Sequence, residues 1–167
     1  IPAGVPLVAD SVIQEIRDVD HVESVSRYLS RQDYSGVYHL NTALSGGYVK
    51  GIDQNYFDTC NYIMKEGRGF TEDDYKNYHK VAILDSDSAS TLFQGEDPVG
   101  STIEIQKEPY TVVGIVTKSK TFEPVINSID DYYTYAQETA GSIYIPDTTW
   151  PIIYQYDEPQ NVVIAVA

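Results

Sequence analysis

The stretch KVAILDSDSASTLFQGEDPVGSTIEIQKEPYTVVGIV, from Lys80 to Val116, constrains the fold more tightly than any other part of the chain. Val81 to Leu84 are consecutive apolar residues and read as a strand buried on both faces. Asp85 or Ser86 then caps a helix running through Phe93, because a short side chain with an oxygen acceptor can satisfy an open amide of the first turn. Gly95 falls at the C′ position, where a left-handed backbone ends a helix without steric cost. In DPVG the proline takes the second turn position and the glycine the fourth. Beyond it Ile103 and Ile105 share one strand face, KEP turns the chain, and YTVVGIV is another apolar strand. The unit is strand, helix, strand, strand.

On the N-terminal side, DSVIQEIRDV places Val12, Ile16 and Val19 on one helical face, with Ser11 and Gln14 at capping-box spacing. HVESVSRYL, SGVYHL and GGYVKGI read as extended segments, and QNYFDTC as a helical turn. LSGG, Leu44 to Gly47, reads as a hairpin turn. On the C-terminal side, KSKTFEPVINSIDDYYTYAQETAGS has no steady period and reads as a long surface arm, followed by strands at SIYIP and NVVIAVA. There is no internal repeat.

The 167 residues suit one domain or two small lobes sharing a core. A formal net charge of -14 repels phosphate backbones and anionic headgroups, so nucleic acid is not an expected partner. Residues 121–167 hold seven acids and neither lysine nor arginine. Cys60 is the only cysteine, so no intrachain disulfide and no thiol cluster for a metal can form. No apolar run approaches the roughly 20 residues needed to cross a bilayer as a helix. The chain opens on IPAGVPLVAD and closes on NVVIAVA, and reads as a piece excised from something longer.

Catalytic and metal-binding patterns are weak. EGRGFTEDD contains G-R-G, which lacks the spacing of a phosphate-binding loop. Thr71 with Asp73 and Asp74 fits a helix cap with acids in the first turn, and Arg68 a surface or hinge cation. DSDSASTLFQGE puts Asp85, Asp87 and Glu96 at calcium-loop positions. It has Ala89 and Ser90 at the centre, where a ligand and a glycine are needed. His21, His39 and His79 are scattered, and no nucleophile elbow is present, so neither a catalytic residue, a metal nor a cofactor is expected. Asp130, Asp131, Tyr132, Tyr133 and Tyr135, with Tyr144, Trp150, Tyr154 and Tyr156 nearby, form a candidate partner surface for cationic peptides; the alternative is a tyrosine-rich sheet face.

VKGIDQNYF, EGRGFTEDD, VAILDSDSASTLFQGEDPVGSTIEI, YTVVGIV and SIYIP, in this order, resemble the MacB-like periplasmic core domain of FtsX/MacB-type ABC transporter permeases, from about Asp10 to Pro146. The residues that carry the resemblance are Gly67, Arg68, Gly69 and Phe70, with Asp97, Pro98 and Gly100. In such proteins the G-R-G-F segment looks like a fold-determining turn and not a ligand loop.

The resemblance implies an α+β fold with a membrane-proximal base lobe, about 1–52 and 143–167, and an inserted β-rich lobe, about 53–142. It implies a non-catalytic extracytoplasmic domain between two membrane helices of a permease, at the cell membrane and on its periplasmic or extracellular side. ATP would be hydrolysed on a separate cytoplasmic ATPase domain or subunit, and the permease would pair as a dimer. An adaptor protein or a peptide substrate would be engaged outside, in transport or efflux. Family members continue past the last strand into another helix and strand, and the acidic, tyrosine-rich arm is not a family hallmark. A reading from another class is a secreted binding module that captures cationic peptides on its acidic tyrosine-rich surface.

Overall fold

The computed structural model describes residues 7–119, 141–155 and 159–167. Asp130, Asp131, Tyr132, Tyr133 and Tyr135, the candidate partner surface, lie outside the described residues, as does most of the expected arm. Among the described residues the fold is mixed α/β, with one sheet of ten strands and a few short helices.

The Lys80–Val116 unit forms much as its pattern predicts. Strand β6 (Val81–Asp85) is followed by an α-helix at Ser86–Phe93, and β7 (Thr102–Ile105) pairs antiparallel with β8 (Glu108–Lys118). Asp85, not Ser86, is the N-cap: its Oδ1 accepts the Ser88 amide at 2.8 Å. Gln94 at φ 51° and Gly95 at φ 95° carry the left-handed exit. The turn after it is shifted by one residue from the expected register. Ser101 N donates to Pro98 O, so Pro98 is first and Gly100, at φ 91°, is third, where a type II turn requires positive φ.

The first helix, α1 (Asp10–Arg17), also departs from expectation. It starts two residues earlier, with Ala9 and not Ser11 as the N-cap, and Ala9 makes no side-chain cap bond. It buries Ile13, while Val12 and Val19 are exposed; Ile13 and Ile16, one turn apart, face the sheet.

Three further strands lead into the sheet: β1 (Val22–Asp33), β4 (Gly47–Ile52) and β10 (Asn161–Val166). Between β1 and β4 the chain makes an excursion through β2 (Val37–His39) and β3 (Thr42–Ala43), which pair with each other while β2 also pairs with β7. LSGG is therefore the return leg from β3 to β4 and not a hairpin between paired neighbours. Strand β5 (Tyr62–Gly67), absent from the sequence reading, pairs with the second half of β8, and β9 is Ser142–Pro146. The order is β10-β1-β4-β9-β6-β8-β7-β2-β3, with β5 also on β8. The pairs β4–β9 and β6–β8 are parallel.

Both faces of the central strands are buried, which is why VAIL and SIYI read as unbroken apolar runs. Ala82, Leu84, Ile143 and Ile145 point to a larger core that includes Leu92, Phe93, Trp150 and Tyr154. Ile83 and Tyr144 point to a smaller one with Ile52, Tyr56 and Val116, under the helical turn α2 (Tyr56–Thr59). Trp150, Tyr144 and Tyr154 are thus core residues and not part of a recognition surface. Asp33, at the end of β1, accepts bonds from the Ser35 and Gly36 amides, Gln106 Nε2 and the Tyr154 hydroxyl. It ties the β7–β8 turn back to the start of the excursion. Burial opposes the charge of Asp33, but these donors outweigh it and hold the carboxyl below its ordinary range.

Candidate functional site

The sheet face that carries the smaller core lies partly under α2. Beside α2 it opens into a cleft of about 580 Å³ that runs across β1, β4, β9, β6 and β8. Alternation along the strands sets its lining. Tyr28 and Ser30 of β1, Tyr48 and Lys50 of β4, and Val116 and Lys118 of β8 each lie two residues apart and so share this face. Tyr56 and Cys60 close it from α2, and Tyr62 from β5. The rings of Tyr28, Tyr56, Tyr62 and Tyr144 pack edge to face, stacked or tilted, with centroid separations of 5.2–6.4 Å.

The cleft lining holds two lysines, Lys50 and Lys118, and two carboxylates, Asp85 and Asp87. Lys50 Nζ stands 5.8 Å from the Tyr48 ring centroid, and Lys118 Nζ 5.8 Å from that of Tyr62. Burial pushes the Cys60 thiol up; the Tyr56 hydroxyl, Lys50 and Lys118 each pull it partway back. Asp85 Oδ1 and Oδ2, at the end of β6, accept the amides of Ser88 and Ser142, at 2.8 and 2.9 Å. Burial raises the Asp85 carboxyl against those bonds.

The G-R-G-F segment lies on the same β5–β8 pair. Gly67 has φ 74°, and a Cβ there would lie 2.1 Å from the Val113 carbonyl oxygen; at Gly69 a Cβ would meet nothing within 4 Å. Arg68 N donates to Val113 O, and its guanidinium reaches Asp74 Oδ2 from Nη1 at 2.7 Å. Asp74 is buried at the start of α3 (Glu72–Lys76), where it forms a capping box with Thr71 and also accepts from His79 Nδ1 at 3.1 Å. Burial disfavours the Asp74 carboxylate, but Arg68, the Thr71 amide and His79 outweigh it and bring its pKa to about 2. Arg68 is therefore the clamp on this carboxylate and not a loose surface cation. Phe70 packs edge to face on Tyr75, 6.2 Å between centroids.

The second signature segment meets β8 at the adjoining residues. Gly100 N donates to Val112 O, and Asp97 Oδ1 accepts the Val99 amide. The structure thus brings Gly67 and Gly100 to neighbouring positions of one strand, which no local pattern reveals. His39 stacks on Phe93, His79 binds Asp74, and His21 lies between α1 and β1. They do not converge. Among the described residues no cluster of His, Cys, Asp and Glu could hold a metal, and no helix is long and apolar enough to cross a membrane.

The family model described as the MacB-like periplasmic core domain matches residues 2–167, a longer span than the sequence reading outlined. The chain belongs to this family. It is 28% identical over 162 residues to the uncharacterized ABC transporter permease YvrN of Bacillus subtilis (strain 168), covering 97% of this chain and 37% of that protein. It is 32% identical over 119 residues to the macrolide export ATP-binding/permease protein MacB of Aggregatibacter actinomycetemcomitans, covering 65% of this chain and 18% of that protein. The chain therefore spans well under half the length of these curated relatives. The crystal structure of the periplasmic region of MacB from Actinobacillus actinomycetemcomitans superposes with a TM-score of 0.69 at 22% identity, covering 94% of this chain and 64% of that one. The extracellular domain of the noncanonic ABC-type transporter YknZ from Gram-positive bacteria gives 0.68 at 18% identity, covering 99% and 75%. These two likenesses establish the MacB-like fold.

Proposed function

We propose that this MacB-like domain is the non-catalytic extracytoplasmic part of an ABC transporter permease. It carries motion driven by ATP hydrolysis in a separate cytoplasmic domain or subunit to the outer face of the membrane, where a substrate or a partner protein is engaged. The observation that supports this reading is the family match along residues 2–167, together with relatives that are themselves ABC permeases. In this reading the permease works as a dimer. The β10–β1–β4 side, with β9, forms the membrane-proximal base, and residues between about 53 and 142 form the lobe that reaches outward. The Gly67–Phe70 and Asp97–Gly100 segments set the geometry of that lobe, since both dock on β8.

The test uses the full-length permease with its ATPase in lipid nanodiscs. Fluorophores on a Tyr34→Cys substitution, in a Cys60→Ser background, report the distance between two copies; Tyr34 is 66% exposed. ATP should change the transfer efficiency, and ATP with a hydrolysis-dead ATPase should trap one state. An efficiency indifferent to nucleotide would remove the coupling role.

A further inference from the structure

Strand β5 is paired on one side only: β8 takes one edge, and among the described residues no strand lies on the other. Its apolar residues Ile63 and Met64 are 54% and 37% exposed. An open edge presents alternate backbone N–H and C=O groups that can pair with another chain. Proteins blunt such edges with a lysine or a bulge, and β5 carries both at one place, with Lys65 in the register shift between Met64 and Glu66. Ile63 and Met64, ahead of that bulge, keep a plain edge.

The same stretch borders a groove of about 370 Å³ between β5, α2 and α3. Side chains alternate between the faces of a strand, yet the consecutive residues Tyr62, Ile63 and Met64 all line the groove. It therefore reaches the edge of β5 and not one face alone. Its lining is largely apolar, with Phe57 and Phe70, and includes two carboxylates and no lysine, arginine or histidine. Asp53 is committed to Ser26 Oγ and the Arg27 amide. Asp58, on α2, is exposed, and its carboxylate has no partner among the described residues.

We propose that this edge and groove are a docking site for an extended segment of a partner protein. The segment adds as a strand beside Ile63 and Met64, lays an apolar side chain in the groove and brings a lysine or arginine to Asp58. The edge supplies the pairing, the groove selects the apolar residue, and the unpartnered carboxylate selects the charge. The site rests on the proposed outward position of the lobe that contains β5. Binding to this chain needs no ATPase, so loss of docking and loss of coupling are separate results.

The test titrates the 167-residue chain into the fluorescein-labelled peptide Thr-Lys-Thr-Leu-Thr-Lys-Thr and follows fluorescence anisotropy. As a strand, this peptide puts Lys, Leu and Lys on one face. Binding should saturate, and a peptide with glutamate in place of both lysines should not bind. Serine in place of the leucine should weaken binding about tenfold, from the lost apolar burial. N-methylation of every second residue blocks the amides on one edge of the peptide only, so one methylated set should abolish binding and the alternate set should leave it unchanged. Asp58→Asn should weaken binding about threefold, the effect of one exposed ion pair. Glu15→Gln, which removes the same charge on α1, should change nothing. Gly69→Phe puts a ring at the groove, where an added Cβ meets nothing within 4 Å, and should block binding in a chain that stays folded. Absence of saturable binding, equal binding of the two methylated peptides, or equal affinities of Asp58→Asn and Glu15→Gln would each overturn the proposal. So would a dimer in ultracentrifugation that Ile63→Lys abolishes, since the occupant of the edge would then be a second copy.

Discussion

Gly67 stands directly opposite Gly114 in the β5–β8 pairing, and neither position has room for a side chain. A Cβ on Gly67 would lie 2.1 Å from the Val113 oxygen, and one on Gly114 would lie 2.6 Å from the Arg68 oxygen. Gly67→Ala should therefore destabilise the domain by about 2–3 kcal/mol, from the positive φ and the backbone clash together. Gly69→Ala, two residues on, should stay within about 0.5 kcal/mol of the parent. Urea unfolding of both variants checks this, and similar midpoints would contradict the steric argument.

Asp74 joins the turn, the helix and the segment after it through Arg68, Thr71 and His79. Asp74→Ala removes the acceptor for all three and should cost about 3 kcal/mol, since a charged buried partner is lost. Arg68→Gln should cost less, about 1 kcal/mol, because the guanidinium is half exposed and the Thr71 amide remains to hold the carboxylate. Thermal denaturation at neutral pH ranks the two.

Acid should act on the same carboxylate. The folded pKa of Asp74, about 2, lies below its ordinary value of 3.8, so its contribution is complete above pH 4 and is lost as pH falls through about 2. Unfolding midpoints measured from pH 5 to pH 2 should fall more steeply for the parent than for Asp74→Asn.

Asp147 has the opposite sign. Burial, and then the neighbouring Asp53 carboxylate, push its pKa from 3.8 to about 6, only partly countered by Arg27. The folded state therefore holds this proton more tightly than the unfolded chain, and the stabilisation it gives is lost as pH rises through about 6. Asp147→Asn should raise stability at pH 7.5 by about 1–2 kcal/mol and have little effect at pH 4. Denaturant titrations at both values check the window, and equal gains at the two would refute it.

At the β6–α4 junction, with α4 the helix Ser86–Phe93, Ser88 Oγ donates to the Ser142 carbonyl at 2.8 Å and Asp85 accepts the Ser142 amide. Ser88→Ala should cost about 1 kcal/mol through the one bond, and Asp85→Ala about 2 kcal/mol through the cap and the link to β9. Hydrogen exchange should show the larger loss of protection at Ser142 in Asp85→Ala.

What could be read beforehand follows from the range of the interactions. Val81–Leu84, the capped helix and the β7–β8 hairpin are set by neighbours in sequence, so their residue types declare them. The inward turn of Ile13 was not declared, because Val12, Ile13 and Ile16 are all apolar and only the sheet selects among them. Strand β5 was hidden for a related reason. Its residues after Tyr62 are exposed, so YIMKEG carries no alternation, and its pairing with β8 spans about 50 residues of chain. The cleft was the least legible feature. Lys50 and Lys118 are separated in sequence by β5, β6 and β7, and nothing local marks them as members of one surface.

Strand β9 lies between β4 and β6 in space yet follows both by a long stretch of chain. It joins β4 through five residue pairs and β6 through two. A ribosome must therefore deliver Pro146 before the central seam of the sheet can close. Until then β4 and β6 each present an apolar edge to whatever is nearby. For a nascent chain of this topology, the interval between the synthesis of β6 and that of β9 is the time of greatest exposure to misassembly and of greatest dependence on chaperones.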